Sequence, residues 1–382
     1  MVIFLPKAVY IHIPFCTQIC HYCDFNKVFL KGQPVDDYLK ALKTEMEKTF
    51  ANLPPENVET VFIGGGTPTA LNEKQLEYLM QTIHCFIDVE KEIEFTIEAN
   101  PGDLTVEKLK ILKNYGVNRL SIGVQSFNNN LLKAIGRNHK VEDIYKTIES
   151  VKQQGFTNIS IDLMYALPNQ TIQDVEFALN EFFKLDIEHC SAYSLIVEPK
   201  TIFYNLMNRG KLPLPSEDEE ATMYQMIMEQ MESHGYHQYE ISNYAKKGFK
   251  SKHNLVYWDN DHYYGFGAGA HSYINGKRRS NIGPINHYLK AIEKGRLPIR
   301  EEISLTVKEQ MEEEMFLGLR KTAGVSQKKF YQKFSIDVLE YYREEIEKLI
   351  QDGLLQINED EIQLTNRGRM LGNIVFQQFI KD

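Results

Sequence analysis

Cysteine is scarce in this sequence. Five in 382 residues is an odd number and far too few for the disulfide framework of a small secreted protein. Basic residues are in deficit as well: 43 Lys and Arg stand against 52 Asp and Glu, a net charge of −9. That balance removes the positive field that a general nucleic-acid or anionic-membrane surface requires. No apolar run approaches the roughly 20 residues of a membrane span. The N-terminal stretch MVIFLPKAVYIHIPF is apolar but has no basic leader and no small-residue cleavage site, so it does not read as a signal peptide. These absences point to a cytoplasmic protein, and a content of 43% hydrophobic and 25% charged residues is that of an ordinary globular chain. The length suits one large domain with a smaller companion.

Three of the five cysteines crowd into eight residues as Cys16-x3-Cys20-x2-Cys23. Cys85 and Cys190 stand alone in apolar patterns and are expected to be buried, inert small hydrophobes. Three thiolates on one loop suit three corners of a [4Fe-4S] cubane. A structural zinc is the competing reading and would draw a fourth ligand from His12, His21 or Asp24. The spacing is poor for the paired knuckles that zinc favours. A missing fourth cysteine is a defect for zinc, but it suits a cluster that keeps one iron open.

Short β-rich runs recur at AVYIHI, VETVFIGGG, IEFTIEANP, RLSIGVQSF, NISIDLMYALP and CSAYSLIV, with amphipathic helical stretches between them. Strand, helix, strand at about 30-residue spacing gives βαβ units and a parallel sheet. Six units make an open or partial barrel, with chemistry at the C-terminal strand ends. The unusual residues fall there: the cysteines after strand one, Gly64-Gly65-Gly66 at the end of strand two, Glu98 at strand three, Gln125 at strand four and Asp162 in strand five. The rhythm predicts a barrel domain over 1–200, a loop-rich extension over 201–299 and a mainly helical, winged-helix-like domain over 300–382. Residues 301–382 carry 11 Lys and Arg against 16 Asp and Glu, a net of −5, so packing or partner recognition is expected of that unit rather than DNA binding.

The C-x3-C-x2-C spacing, with Tyr10-Ile-His-Ile-Pro-Phe before it and Tyr22 ahead of the last cysteine, resembles the radical S-adenosylmethionine superfamily. More narrowly it is similar to oxygen-independent coproporphyrinogen III oxidases and their relatives. The likeness continues through GGGTPT (64–69), IEANP (97–101), GVQSF (123–127), Gly136-Arg137, IDLMYALPNQT (161–171), HNLVYW (253–258) and GFGAGAHSY (265–273). The resemblance implies a partial (β/α)6 TIM-like barrel whose open iron chelates S-adenosylmethionine. It further implies cofactor contacts from Tyr10, Tyr22, Gly65, Gly66, Thr67, Glu98, Gln125, Arg137 and Asp162.

Within that group the sequence departs from the oxidases. They carry a further cysteine two positions after the third, where this chain has Phe25, and they tend to a long segment ahead of strand one, which here begins by about residue 8. Both departures, and the H-N-x-x-Y-W stretch from His253 to Trp258, resemble a sister group of heme chaperones. That resemblance implies heme binding and transfer to respiratory membrane apoproteins rather than porphyrin synthesis. It allows transient membrane association and a homodimer, without a nucleic-acid partner. His253, in an aromatic setting of Tyr257, Trp258, Tyr263 and Tyr264, is the expected heme ligand, with His271 second.

Overall fold

The computed structural model describes residues 5–89 and 93–381; the first four residues of the apolar N-terminal run lie outside them. Six strands occupy the runs read from the sequence: β1 (Ala8–Ile13), β2 (Thr60–Gly65), β3 (Glu94–Ala99), β4 (Arg119–Gln125), β5 (Ile159–Tyr165) and β6 (His189–Ser194). They lie side by side in chain order, every pair parallel. A helix follows each of the first five. The helix Val35–Asn52 is typical: Tyr38, Leu39, Leu42, Met46 and Phe50 recur at helical spacing and are buried, giving one apolar stripe against the sheet. The chemistry of the strand C-termini is therefore brought to one rim.

The segment expected to be loop-rich is more regular than its composition suggests. Its strands β7 (Tyr263–Phe266), β8 (His271–Ile274) and β9 (Lys277–Asn281), with β10 (Ile299–Ser304) starting at its last residue, continue the sheet beyond β1. β7 pairs parallel to β1, and β8 to β10 then fold back as an antiparallel meander. At the other edge, the short strands Asn243–Ala245 and His237–Gln238 add to β6. The result is one open sheet of 12 strands among the described residues.

HNLVYW is also not loop. Lys252–Trp258 is a helix, capped by the Ser251 side chain. The buried Glu94 carboxylate accepts the backbone N–H groups of Lys252 and His253 at 2.9 and 3.0 Å, an acid placed where a helix N-terminus offers free donors.

The C-terminal unit has its own core, built on Met311, Met315, Phe330, Tyr342, Ile362 and Phe376. Its three-stranded sheet (Val325–Ser326, Glu361–Leu364, Leu355–Asn358) closes through a tight turn in which Glu359 adopts φ 53°. Among the described residues no helix is long and apolar enough to cross a membrane.

Candidate functional site

At the C-terminal rim of β1 to β5 lies a cavity of about 430 Å³ lined by all three clustered cysteines. Cys16 follows β1, where Phe15–Cys16 pairs with Val28–Phe29 to close the loop. Cys16 is buried, Cys20 and Cys23 are half-buried, and all three are free thiols.

The loop's shape is imposed from outside. The His12 ring meets the Asn26 carbonyl at 2.7 Å, and the Asn26 amide donates to the carbonyls of Ala268 and Gly283 at 2.7 and 3.1 Å. The Lys27 ammonium donates to the Cys23 carbonyl. Tyr38 donates to the His12 carbonyl at 2.7 Å and accepts from Ala268 N–H at 2.9 Å. Behind it the buried Glu45 takes the Gly267 N–H, the Asn281 amide and the Tyr288 hydroxyl. Thus the GFGAGA stretch, some 240 residues downstream, fixes the cysteine loop.

The glycine turn forms the facing wall. A Cβ at Gly64 would sit 2.8 Å from the Glu98 carboxylate, one at Gly65 2.5 Å from the His12 ring, and one at Gly66 2.9 Å from the Cys16 sulfur. Gly65 also adopts φ +117°, a backbone that side chains disfavour. Bare backbone is therefore required at all three.

The other strand ends supply charge. The Gly65 N–H donates to Glu98 at 3.0 Å, yet burial, aided by Asp162, pushes the Glu98 carboxyl up to about 8. Burial raises Asp162 as well, against hydrogen bonds from Ser191 and Ser121. Arg137 donates to Asn100 at 2.6 Å and to the Tyr22 hydroxyl at 3.1 Å, while its Nε is buried without a partner. Gln125 sits at φ +66° beside a register shift between β4 and β5; that strained, bulged strand end re-aims its side chain into the cavity.

The structure thus gathers Cys16, Cys20, Cys23, Tyr22, Gly65, Gly66, Thr67, Glu98, Gln125, Arg137 and Asp162 around one space. Two expected residues stand apart. The Tyr10 hydroxyl meets His12 at 3.0 Å, its ring stacks on Phe62, and it lines a neighbouring cavity instead. His253 is 1% exposed, and both ring nitrogens are engaged, with the Thr60 hydroxyl at 2.8 Å and the Tyr257 hydroxyl at 2.8 Å. In this conformation its ring braces the Lys252–Trp258 helix against β2. The expectation of a buried Cys85 is corrected, since it is exposed beyond its helix end, whereas Cys190 is buried. Asn100 was not singled out, yet its amide donates to Thr67 while its carbonyl holds Arg137. Its signal was its place in IEANP at a strand end.

The donor set fits a cluster. Among the described residues no three His, Cys, Asp or Glu side chains converge closely enough to hold a single ion. The zinc arrangement is not preformed, and His12 and His21 are spent on backbone carbonyls. Three thiols spread around a cavity suit the separate corners of a cubane. Burial pushes Cys16 up to about 11 and raises Cys23, so metal must displace their protons on loading. The unpartnered Arg137 Nε and the bare glycine backbone remain for a polar ligand beside the open corner.

Comparison with known proteins agrees with this geometry. Residues 10–182 match the model of the radical SAM superfamily, and residues 305–371 that of the HemN C-terminal domain. The chain is 53% identical over 375 residues to the heme chaperone HemW of Bacillus subtilis (strain 168), covering 98% of this chain and 99% of that relative. It is 48% identical over 377 residues to the heme chaperone HemW of Lactococcus lactis subsp. lactis (strain IL1403), covering 99% and 98%. Among solved structures, the coproporphyrinogen III oxidase HemN from Escherichia coli, a radical SAM enzyme, superposes with a TM-score of 0.84 at 26% identity, covering 98% of this chain and 90% of that one.

Proposed function

The chain belongs to the HemW family of heme chaperones within the radical SAM superfamily, and on that premise we propose that it binds heme and hands it to apoproteins of the respiratory membrane. The observation that carries this reading is full-length similarity to proteins named for heme chaperoning. Phe25, 65% exposed on the cysteine loop, supports it, since the oxidases resemble this chain but carry a cysteine there.

Cys16, Cys20 and Cys23 would hold a [4Fe-4S] cluster. When bound, the cluster supplies an electron and an open iron for the amino and carboxylate groups of S-adenosylmethionine. Gly65 and Gly66 present backbone to that molecule. Glu98 and Asp162 offer carboxylates to its cationic part, and Arg137 offers an unused N–H to its carboxylate. Residues at the ends of β2 to β5 line the space that the nucleoside would occupy.

The likeness in fold to a coproporphyrinogen III oxidase favours a second reading, decarboxylation of that porphyrinogen. The test uses anaerobically reconstituted protein with S-adenosylmethionine and a reductant. Coproporphyrinogen III is followed by chromatography, and a parallel sample is titrated with heme. We expect a saturable Soret band and no decarboxylation. Stoichiometric or better conversion to protoporphyrinogen IX would overturn the chaperone reading.

A further inference from the structure

Two cations line the cysteine cavity, Arg137 and Lys27. Arg137 faces the space assigned to S-adenosylmethionine. Lys27 sits on the cysteine loop itself, and its half-buried ammonium donates to the Cys23 carbonyl. We infer that Lys27 tunes the cluster: its fixed positive charge raises the reduction potential of the iron–sulfur centre held by Cys16, Cys20 and Cys23. The inference rests on the cluster assignment above and names a residue that sets how readily the centre accepts an electron.

The charge is held in place from both flanks. The carbonyl of Asn26 meets the His12 ring at 2.7 Å, and the Asn26 amide reaches Ala268 and Gly283. On the other side the Val28 N–H donates to the Pro14 carbonyl at 2.8 Å, and Val28 pairs with Phe15. An ordinary surface lysine spreads its charge over many rotamers. This one leaves a fixed backbone and ends on a carbonyl of the same loop. That carbonyl is the hydrogen-bond partner found for it among the described residues. Asp24, the carboxylate on the same loop, is exposed.

Each of the three sulfurs has a different electropositive neighbour. The Thr67 hydroxyl donates to the Cys16 sulfur at 3.7 Å, and the Arg137 charge bears on Cys20. On Cys23 the charge of Lys27 acts most strongly, ahead of Cys20 and Asp24. Thr67 and Arg137 also border the space for S-adenosylmethionine, so changing either disturbs ligand and cluster together. Lys27 acts from the loop side.

The sign of the effect follows from charge. Three thiolates leave the oxidised cluster net negative, and an electron from an external one-electron reductant deepens that charge. A cation nearby therefore stabilises the reduced form more than the oxidised one. Because Lys27 is only half-buried, solvent and salt screen part of its influence. Its removal is expected to shift the reduction equilibrium about tenfold, which for one electron is about 59 mV.

The test is an anaerobic redox titration of reconstituted full-length protein, without S-adenosylmethionine or heme, followed by electron paramagnetic resonance of the reduced cluster. Wild type is compared with Lys27→Gln, Lys27→Met, Lys27→Arg and Asp24→Asn, with iron content and circular dichroism as controls. We expect midpoints about 59 mV more negative in both neutral variants, a gap that narrows as ionic strength rises. Lys27→Arg should stay near wild type because the charge is kept. Asp24→Asn should move the midpoint the other way, by less, since that carboxylate is exposed. Unchanged midpoints in Lys27→Gln and Lys27→Met would overturn the inference. So would an arginine variant as negative as the methionine one, which would mark contact geometry rather than charge. An effect confined to affinity for S-adenosylmethionine would make Lys27 a ligand contact and overturn it as well. Should the neutral variants fail to load iron, the absence of an upward shift in Asp24→Asn would count against it. A wild type that loads no redox-active cluster would instead overturn the cluster assignment itself.

Discussion

Replacing Cys16, Cys20 and Cys23 together with serine is expected to remove the iron–sulfur cluster completely. Iron and sulfide after anaerobic reconstitution should fall from about four of each per chain to near zero, with loss of the brown absorbance. The size of the effect follows from the ligand chemistry. A serine hydroxyl is a harder donor than thiolate and far less readily ionised, and burial already pushes the Cys16 thiol up to about 11, so the site has no margin for a weaker acid. The fold should survive. The loop is anchored by His12, Asn26 and Lys27 through contacts that use no cysteine sulfur, so circular dichroism of the triple variant should match that of the unloaded wild type. Substituting the buried Cys190 by Ala leaves iron unchanged and serves as the control. A triple variant that keeps full iron and sulfide would refute the assignment.

The second large effect concerns protons. Burial and the neighbouring Asp162 hold the Glu98 carboxyl at about 8, so at neutral pH the ligand-free site keeps its proton. S-adenosylmethionine brings positive charge, which favours the carboxylate and releases that proton. Affinity should therefore rise with pH, by up to tenfold per unit below about pH 8, and level off above it. Glu98→Gln keeps the shape and removes the titration, so its affinity should be flat over the same window. The sign for stability is opposite. The folded carboxyl binds its proton more tightly than the unfolded one, whose ordinary value is 4.5. The ligand-free protein therefore loses stability as pH rises from about 4.5 to about 8, with that contribution intact below 4.5. Calorimetry with and without ligand across pH 6–9 checks both slopes. Equal slopes in wild type and Glu98→Gln would refute this role.

Much of the barrel was legible because its signals are local. Short, mostly buried runs of six or seven residues between amphipathic stretches mark β1 to β6, and the unusual residues sit at their C-terminal ends, where a parallel sheet exposes them. Gly64 to Gly66 were legible as a strand-end turn because the constraint, lack of room for a Cβ, is written in residue type. What escaped was decided by distant partners. β7 is four residues long and is a strand because β1, far away in sequence, offers it an edge. HNLVYW is helical because Glu94 caps it from about 160 residues upstream, and no pattern in the hexapeptide announces that. The fate of His253 likewise depends on Thr60, which meets it only after β2 is in place. Tyr10 alternates correctly as a strand residue, but which of two cavities it faces depends on where the β7–β10 meander packs. Asn100 was within reach, since a polar residue ending β3 belongs to the same rim as Glu98.

The central claim is that three cysteines hold a cluster whose remaining iron faces a pocket for S-adenosylmethionine. Electron paramagnetic resonance of the reduced, anaerobically reconstituted protein, recorded with and without S-adenosylmethionine, tests it most directly. The account predicts a cluster signal that shifts saturably as the ligand is added, because the ligand coordinates the open iron. A cluster signal that stays unchanged at saturating S-adenosylmethionine would contradict it.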